Sequence, residues 1–246
     1  MNYIIDLDGT LLNHTTANID SIEFIREIQK RNEDFRIMSN SIKSPDVVRN
    51  RLRDAGMLVE REQIFNPIAV LNAFIKRENI ADVYIVGTKV EIEQVSAKQE
   101  YEHPSLIALL DFEKNNCAYK DLQHIFELIQ KGVRVVSASG SPYYAKEKKR
   151  YLDTGSFVNL FEAAADIKIP ILGKPSKEYF SAVINSFQSQ EDDILIIGDD
   201  WNTDMRGAEN ALCRGVLVKS GKYYPGDEKK CKPFMVVSKL MELFQT

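Results

Sequence analysis

Two aspartates stand two residues apart near the start of the chain, in the segment Tyr3-Ile4-Ile5-Asp6-Leu7-Asp8-Gly9-Thr10. The apolar run before them predicts a buried β-strand, and alternate residues of a strand point the same way, so Asp6 and Asp8 can converge on one small volume. Two unit charges about 4 Å apart repel by roughly 4 kcal/mol at an effective dielectric of about 20. Such a pair favours a cation, a shared proton or solvent. At the carboxyl end of a buried strand, a metal ion and a phosphoryl group fit best, and an acidic turn is the structural alternative.

Three further polar clusters follow other predicted strands or begin the helices after them. They consist of Ser39 with Asn40, of Lys174 in a Gly-Lys-Pro loop, and of Asp199, Asp200 and Asp204. In a doubly wound sheet the carboxyl ends of the strands face one crevice, so we expect the clusters to meet there. A carboxylate nucleophile, a second carboxylate for proton transfer, a hydroxyl, a lysine and further acids are the groups that phosphoryl transfer requires. Singly, each cluster is explained as well by a capped turn or a solvated loop.

Alternating strand-like and helix-like patterns along the chain must position these clusters, and they predict an α/β protein. Buried strands are expected at 3–7, 35–38, 83–87 and 194–197, with short strands near 216–218 and 235–237. Between about residues 88 and 171 the pattern has its own strands and a strongly periodic helix. We therefore predict a core made of residues 1–87 and 172–246, with an inserted α/β unit of residues 88–171.

Composition argues against several classes of function. The chain has 246 residues and a formal net charge of −4, without the Lys/Arg block that a nucleic-acid footprint requires. Its three cysteines, Cys117, Cys213 and Cys231, form no Cys-x-x-Cys pair, so neither a zinc site nor a disulfide framework is predicted. Asp6 and Asp8 interrupt the apolar start and argue against a signal peptide, and no apolar run approaches the roughly 20 residues that span a bilayer. The prediction is a cytoplasmic protein without a membrane or nucleic-acid partner.

The four clusters, taken in order, resemble the motifs of the haloacid dehalogenase-like (HAD) hydrolases, and among them the phosphatases. The long insertion between Ser39 and Lys174 resembles the C2-capped subgroup, specifically its NagD-like or p-nitrophenyl phosphatase-like type. The resemblance spans almost the whole chain and is weakest in the insertion. It implies a Rossmann-like, doubly wound parallel-sheet core with an inserted C2-type α/β cap. It also implies a Mg²⁺-dependent phosphatase that hydrolyses a small-molecule phosphomonoester.

The resemblance also implies a role for each residue of the first three clusters. Asp6 would be the nucleophile that forms an aspartyl-phosphate, and Asp8 the general acid and base. Ser39 and Asn40 would bind the phosphoryl group, and Lys174 would anchor it and orient the nucleophile. The retained Asp8 favours phosphatase over dehalogenase chemistry.

A second set of implied roles concerns the metal. Asp6, the backbone carbonyl of Asp8 and Asp199 would ligate Mg²⁺, while Asp200 and Asp204 would support the metal shell through water. The insertion departs from the relatives: residues 138–142 read Ala-Ser-Gly-Ser-Pro where an Ala-Thr-Asn-x-Asp-like turn is common. The substrate preference of relatives therefore does not transfer.

Three other functions stay open at this point. The first is phosphotransfer to a sugar acceptor instead of water. The second is a phospho-acceptor signalling module, against which the large insertion and the Gly9-Thr10 turn argue. The third is a catalytically silent metabolite-binding protein on the same scaffold. A homodimer is also open, because C2 caps of relatives sometimes mediate dimers.

Overall fold

The computed structural model describes residues 1–112, 117–146, 149–187 and 194–245, and its contacts divide the chain into two compact units. Unit 1 consists of Met1–Ser39, Lys43–Asn66 and Lys174–Thr246, and unit 2 of Asn40–Ile42 and Pro67–Gly173.

The described residues form fourteen β-strands, most of them short. They are β1 (Asn2–Asp6), β2 (Leu12–Asn13), β3 (Thr16–Ala17), β4 (Asp34–Met38), β5 (Ile64–Phe65), β6 (Asp82–Val86), β7 (Lys98–Gln99), β8 (Leu106–Leu109), β9 (Arg134–Ser137), β10 (Tyr143–Lys146), β11 (Lys149–Leu152), β12 (Ile194–Gly198), β13 (Arg214–Val218) and β14 (Met235–Val237).

Eight α-helices lie in the same described ranges. They are α1 (Ser21–Lys30), α2 (Pro45–Asp54), α3 (Pro67–Arg77), α4 (Lys89–Ile92), α5 (Tyr119–Gln130), α6 (Thr154–Ala165), α7 (Lys177–Ile184) and α8 (Arg206–Asn210). Two of these helices begin with a side-chain cap: Ser44 accepts from Val47 N with Pro45 as the first helical residue, and Ser176 accepts from Tyr179 N.

Unit 1 is built on a six-stranded parallel sheet in the order β14-β13-β12-β1-β4-β5. The chain starts in the centre at β1, moves outward through β4 and β5, and returns to the other side of β1 for β12, β13 and β14. The strand order therefore reverses between β1 and β12, which makes a topological switch point at that edge. The predicted doubly wound core is confirmed.

The central strand β1 is buried along its whole length, and its middle residues, Tyr3–Ile5, are apolar. Tyr3 and Ile5 belong to a core cluster with Phe24 and Ile28 of α1 and Leu52 of α2. The alternate residues Ile4 and Ile196 are also buried. A near-continuous apolar strand is what parallel sheets covered on both faces require.

Unit 2 contains a second parallel sheet, in the order β7-β6-β8-β9. Its core joins Ile107 and Leu109 of β8 to Ile125 of α5 and to Val158 and Phe161 of α6. Strands β10 and β11 pair separately as an antiparallel hairpin. The expected insertion is therefore an α/β unit of its own.

The first boundary of the insertion differs from the prediction. The strand expected at 83–87 was assigned to the core, but β6 lies inside the unit 2 sheet, between β7 and β8, so the division falls after residue 66 and not after residue 87. The third strand of the core on that side is β5, which has only two residues and leaves no visible apolar run. The second boundary, expected after residue 171, lies after residue 173.

Within the described ranges, none of the helices has the length and hydrophobicity that crossing a bilayer demands.

Candidate active site

Asp6 ends β1 at the switch point of the unit 1 sheet, and its carboxylate is buried. Its Oδ1 accepts a hydrogen bond from Lys174 Nζ at 2.5 Å. Its Oδ2 is also buried and has no hydrogen-bond partner among the described residues. A buried carboxylate oxygen left without a donor is costly, so it marks a position where a further group is expected to bind.

Lys174 links two carboxylates of the site. Its ammonium lies 2.5 Å from Asp6 Oδ1 and 2.6 Å from Asp204 Oδ1, and its side chain is only 5% exposed. Burial lowers the pKa of Lys174, but the Asp204 and Asp6 carboxylates outweigh that effect and raise the pKa above its ordinary value. The lysine is therefore a permanent cation at this edge of the sheet.

Asp199 follows β12, directly across the switch point, and is fully enclosed. Its Oδ1 accepts from Thr10 Oγ1 at 3.2 Å, and its Oδ2 accepts from the backbone N–H of Lys222 at 2.5 Å. Two close glycines make room for it. A Cβ on Gly9 would lie 2.3 Å from Asp199 Oδ2, and one on Gly221 would lie 2.1 Å from the same atom. Both glycines have positive φ, so the turns need glycine for conformation as well as for space.

The segment after Asp199 forms a π-helical turn, Trp201–Met205, which leads into α8. Asp200 caps this turn by accepting from Asn202 N at 2.8 Å, and its Oδ2 lies 3.4 Å from Lys222 Nζ. Asp204 accepts from Lys174 through Oδ1 and from Asp200 N through Oδ2, at 3.1 Å. Asp200 and Asp204 thus organise the turn and the lysine.

Burial and mutual repulsion raise the pKa values of the three enclosed acids. Burial raises the pKa of Asp6 to about 7, with Lys174 opposing and Asp199 adding to the shift. Burial likewise raises the pKa of Asp204 to about 6, against the lowering effect of Lys174. For Asp199, burial and then the Asp204 charge raise the pKa. The protein alone therefore does not fully compensate the negative charge that it encloses here.

This charge balance fits a divalent cation. Asp6, Asp199 and Asp204 each offer a carboxylate oxygen within 4.8 Å of the others. Three carboxylates and the single Lys174 ammonium leave two net negative charges. Oxygen donors and a small number of carboxylates are what Mg²⁺ prefers. The unpartnered Asp6 Oδ2 gives a second reason why the cluster suits a hard cation.

Asp8 is more exposed than the acids of the buried cluster. Its side chain is 46% exposed, and Oδ1 accepts from Arg51 Nη2 at 2.7 Å. The buried acidic cluster is formed by Asp6, Asp199 and Asp204, without Asp8. Strand β1 ends at Asp6 and Leu7 lies in a turn, so the alternation on which the convergence argument depended stops before Asp8.

Ser39 follows β4 on the other side of Asp6, and it is buried. Its backbone N–H donates to Phe65 O at 3.1 Å, and its carbonyl accepts from the Tyr179 hydroxyl at 2.7 Å. Asn40 falls in unit 2, where a Cβ on Gly173 would lie 2.8 Å from its Oδ1. The phosphate-binding role expected for Asn40 stays a prediction.

Sequence reasoning overlooked several residues that hold the site together. Tyr179 has the spacing of a core residue in α7, so its pattern conceals the hydroxyl that fixes Ser39. Asn18 Nδ2 donates to the carbonyls of Gly9 and Thr10, and nothing in its neighbourhood signals that role. In the Ser220-Gly221-Lys222 loop, the glycine is a sequence signal for a tight turn, and this loop contacts Asp199.

Two family models match the chain. The model of haloacid dehalogenase-like hydrolases matches residues 3–102, and a second, HAD-hydrolase-like model matches residues 171–243. The chain belongs to the haloacid dehalogenase-like hydrolases. The same family appears in a curated relative, haloacid dehalogenase-like hydrolase domain-containing protein 2 of Bos taurus. This relative is 26% identical over 94% of the present chain and 88% of its own.

Other HAD relatives carry phosphatase names. Phospholysine phosphohistidine inorganic pyrophosphate phosphatase of Xenopus laevis is 29% identical over 73% of this chain and 66% of its own. The p-nitrophenyl phosphatase from Archaeoglobus fulgidus superposes with a TM-score of 0.92 at 19% identity, covering 99% and 98% of the two chains. NagD from E. coli K-12 gives 0.88 at 20% identity, covering 98% and 97%. The fold is therefore that of the NagD-like HAD hydrolases with their cap domain, as the motif order predicted.

Proposed function

We propose that this HAD hydrolase is a phosphatase that hydrolyses a small-molecule phosphomonoester through an aspartyl-phosphate on Asp6. The observation that carries the proposal is the Asp6 carboxylate itself. Lys174 fixes one oxygen at the switch point, and the other is buried without a partner. A carboxylate fixed in place in this way is preorganised to attack a phosphorus atom.

The proposed reaction has two steps, each carried by residues of unit 1. In the first, an Asp6 oxygen forms a bond to phosphorus, the bond to the leaving oxygen breaks, and Asp8 donates a proton to that oxygen. In the second, Asp8 accepts a proton from water, which attacks the same phosphorus, releasing phosphate and restoring the Asp6 carboxylate. Lys174 and Ser39 would hold the phosphoryl oxygens during both steps.

Asp6, Asp199 and the Asp8 backbone carbonyl would hold a divalent metal ion, proposed to be Mg²⁺. When bound, it would screen the Asp6 carboxylate from the negatively charged phosphate. Asp200 and Asp204 would support the metal shell from their positions in the turn after β12.

The names of the relatives support a phosphate substrate. One relative is named for p-nitrophenyl phosphate and another for phospholysine, phosphohistidine and inorganic pyrophosphate, and each name describes its own protein. The family assignment favours hydrolysis over a phospho-acceptor signalling module. Transfer to a sugar acceptor uses the same first step, so product analysis with an added sugar separates it from hydrolysis.

The test is phosphate release from p-nitrophenyl phosphate and a panel of metabolite phosphates, with Mg²⁺ and with EDTA. Wild-type protein is compared with Asp6→Asn, which keeps the size of the side chain but removes the nucleophile. We expect metal-dependent turnover in the wild type and a loss of at least about 1,000-fold in Asp6→Asn. A contaminating phosphatase would act equally in both preparations.

Intact turnover in Asp6→Asn would refute the aspartyl-phosphate. No turnover by folded wild-type protein on the whole panel would favour the catalytically silent binding protein, and binding of the panel members by calorimetry would then identify its ligand.

A further inference from the structure

We propose that Arg51 is a positioning residue that holds the general acid and base, Asp8, in its working orientation. The proposal rests on the proposed function, because it assigns a partner to the proton-transfer group of that reaction. It starts from one observation: the guanidinium Nη2 of Arg51 lies 2.7 Å from Asp8 Oδ1 and 2.7 Å from the backbone carbonyl of His14.

Arg51 is anchored on a rigid element. It lies in α2, next to Leu52, which is fully buried in the unit 1 core. Its own side chain is 19% exposed, whereas that of Asp8 is 46% exposed. The arginine is thus held by packing of its helix, and the acid, on an exposed turn, takes its orientation from the arginine.

The second bond of Arg51 extends this restraint. His14 lies between β2 and β3 and has φ +55, so its carbonyl is presented from a tight turn. Strands β2 and β3 pair as a hairpin, and a single guanidinium nitrogen of Arg51 joins Asp8 to it. Leu12 of β2 also forms a backbone bridge with Asp8. Side chain and turn are therefore fixed together.

The positioning has a chemical purpose. The ion pair engages one oxygen of Asp8, which leaves the other for the leaving oxygen of the substrate. An ion pair with an exposed partner adds little to the stability of the fold, so stability alone does not explain an arginine held this way. An acid that is misplaced by a small distance loses much of its catalytic effect.

Two substrates with different leaving groups separate positioning from a structural role. p-Nitrophenolate departs as an anion and needs little protonation, whereas an alkoxide needs a proton from Asp8. We would measure kcat/KM, which reports the first chemical step, for p-nitrophenyl phosphate and for an alkyl ester such as glycerol phosphate. The proteins are wild type, Arg51→Ala, Arg51→Lys and the matched control Arg53→Ala, which removes an exposed arginine from the same helix.

We expect Arg51→Ala to lower kcat/KM for the alkyl ester about tenfold while changing that for p-nitrophenyl phosphate by less than about threefold. Arg51→Lys, which keeps a donor and the charge, should recover most of the loss, and Arg53→Ala should match the wild type on both substrates. Thermal unfolding midpoints check that each variant is folded. If Arg51→Ala does not fold, Arg51→Gln replaces it, with the same substrate difference expected.

Equal losses on both substrates, no loss on either, or the same loss in Arg53→Ala would overturn the proposal. Turnover by the wild type distinguishes the two levels of failure. A wild type that hydrolyses both esters, with variants that show no leaving-group difference, refutes only the role of Arg51. A wild type that hydrolyses neither refutes the proposed function and this inference with it.

Discussion

The two parallel sheets of this chain carry different side chains at the carboxyl ends of their strands. In unit 1, the strand ends at the switch point carry the buried acids Asp6 and Asp199, linked to a buried lysine. In unit 2, hydroxyl groups at the corresponding edge bond to backbone carbonyls just beyond the strands, and a buried acid there, Asp111, lies outside the acidic cluster found among the described residues. Ser137 Oγ donates to Ser139 O at 2.9 Å, and Thr154 Oγ1 donates to Leu110 O at 3.0 Å.

This difference shows that the architecture alone does not make a reactive site. Both edges are built by parallel strands covered with helices, but neutral hydroxyls that bond to backbone carbonyls stabilise the edge without leaving a group for a ligand. Burying a carboxylate with an unpartnered oxygen lowers the stability of the fold. Such groups are therefore found mainly at functional sites. The charged edge of unit 1 is therefore where catalysis is expected.

The largest expected effect tests this contrast directly. Asp199→Asn removes a carboxylate from the charged edge, and Asp111→Asn removes one that is also buried and follows β8 in unit 2. We expect Asp199→Asn to lower kcat/KM by about 1,000-fold, because a metal-binding charge is lost, and Asp111→Asn to change it by less than about threefold. Initial rates at saturating Mg²⁺ provide the measurement. Comparable losses in both variants would mean that the reaction depends on the two edges alike.

A second comparison concerns two lysines with carboxylate partners. Lys174 is 5% exposed and contacts Asp6 and Asp204, while Lys168 of unit 2 is 90% exposed and lies 3.0 Å from Glu162. Lys174→Met leaves two buried acids without their cation. We expect it to cost about 3–5 kcal/mol in the free energy of unfolding and about 100-fold in kcat/KM.

Lys168→Met serves as the control and should cost less than about 1 kcal/mol, because an exposed ion pair contributes little. Urea unfolding in EDTA measures both. If Lys174→Met were as stable as the control, the buried lysine would not compensate its neighbours as the pKa directions imply.

Sequence patterns pointed to this edge of the sheet because Asp6 ends one buried strand and Asp199 directly follows another. Asp6 and Asp199 follow apolar runs that only a covered parallel sheet explains, so their meeting at one edge followed from topology. Asp8 lies outside this pattern, because strand β1 ends at Asp6 and Leu7 lies in a turn. Its orientation depends on Arg51, 43 residues away, and no local pattern reveals such a contact.

The elements of the fold were easier to predict from the sequence than the sheet to which each strand belongs. Strand β6 was foreseen as an element but assigned to the wrong sheet, because an apolar strand reads the same in either sheet and its neighbours are set by distant residues. Strand β5, with two residues, is too short to produce a pattern. Boundaries that depend on which strand lies beside which therefore need the three-dimensional structure.

The smallest expected effect separates backbone strain from contact with the charged edge. Gly221 and Gly226 both have positive φ, so an alanine at either costs about 1–2 kcal/mol of conformational strain. Only at Gly221 would the new Cβ meet the site, 2.1 Å from Asp199 Oδ2, whereas at Gly226 it would meet nothing within 4 Å. We expect Gly221→Ala to raise the Mg²⁺ concentration for half-maximal activity about tenfold, because the Asp199 carboxylate must move. Gly226→Ala should lower the unfolding midpoint without changing that concentration. The same Mg²⁺ dependence in both variants would show that the position of Asp199 does not control metal binding, and that the two loops matter only for stability.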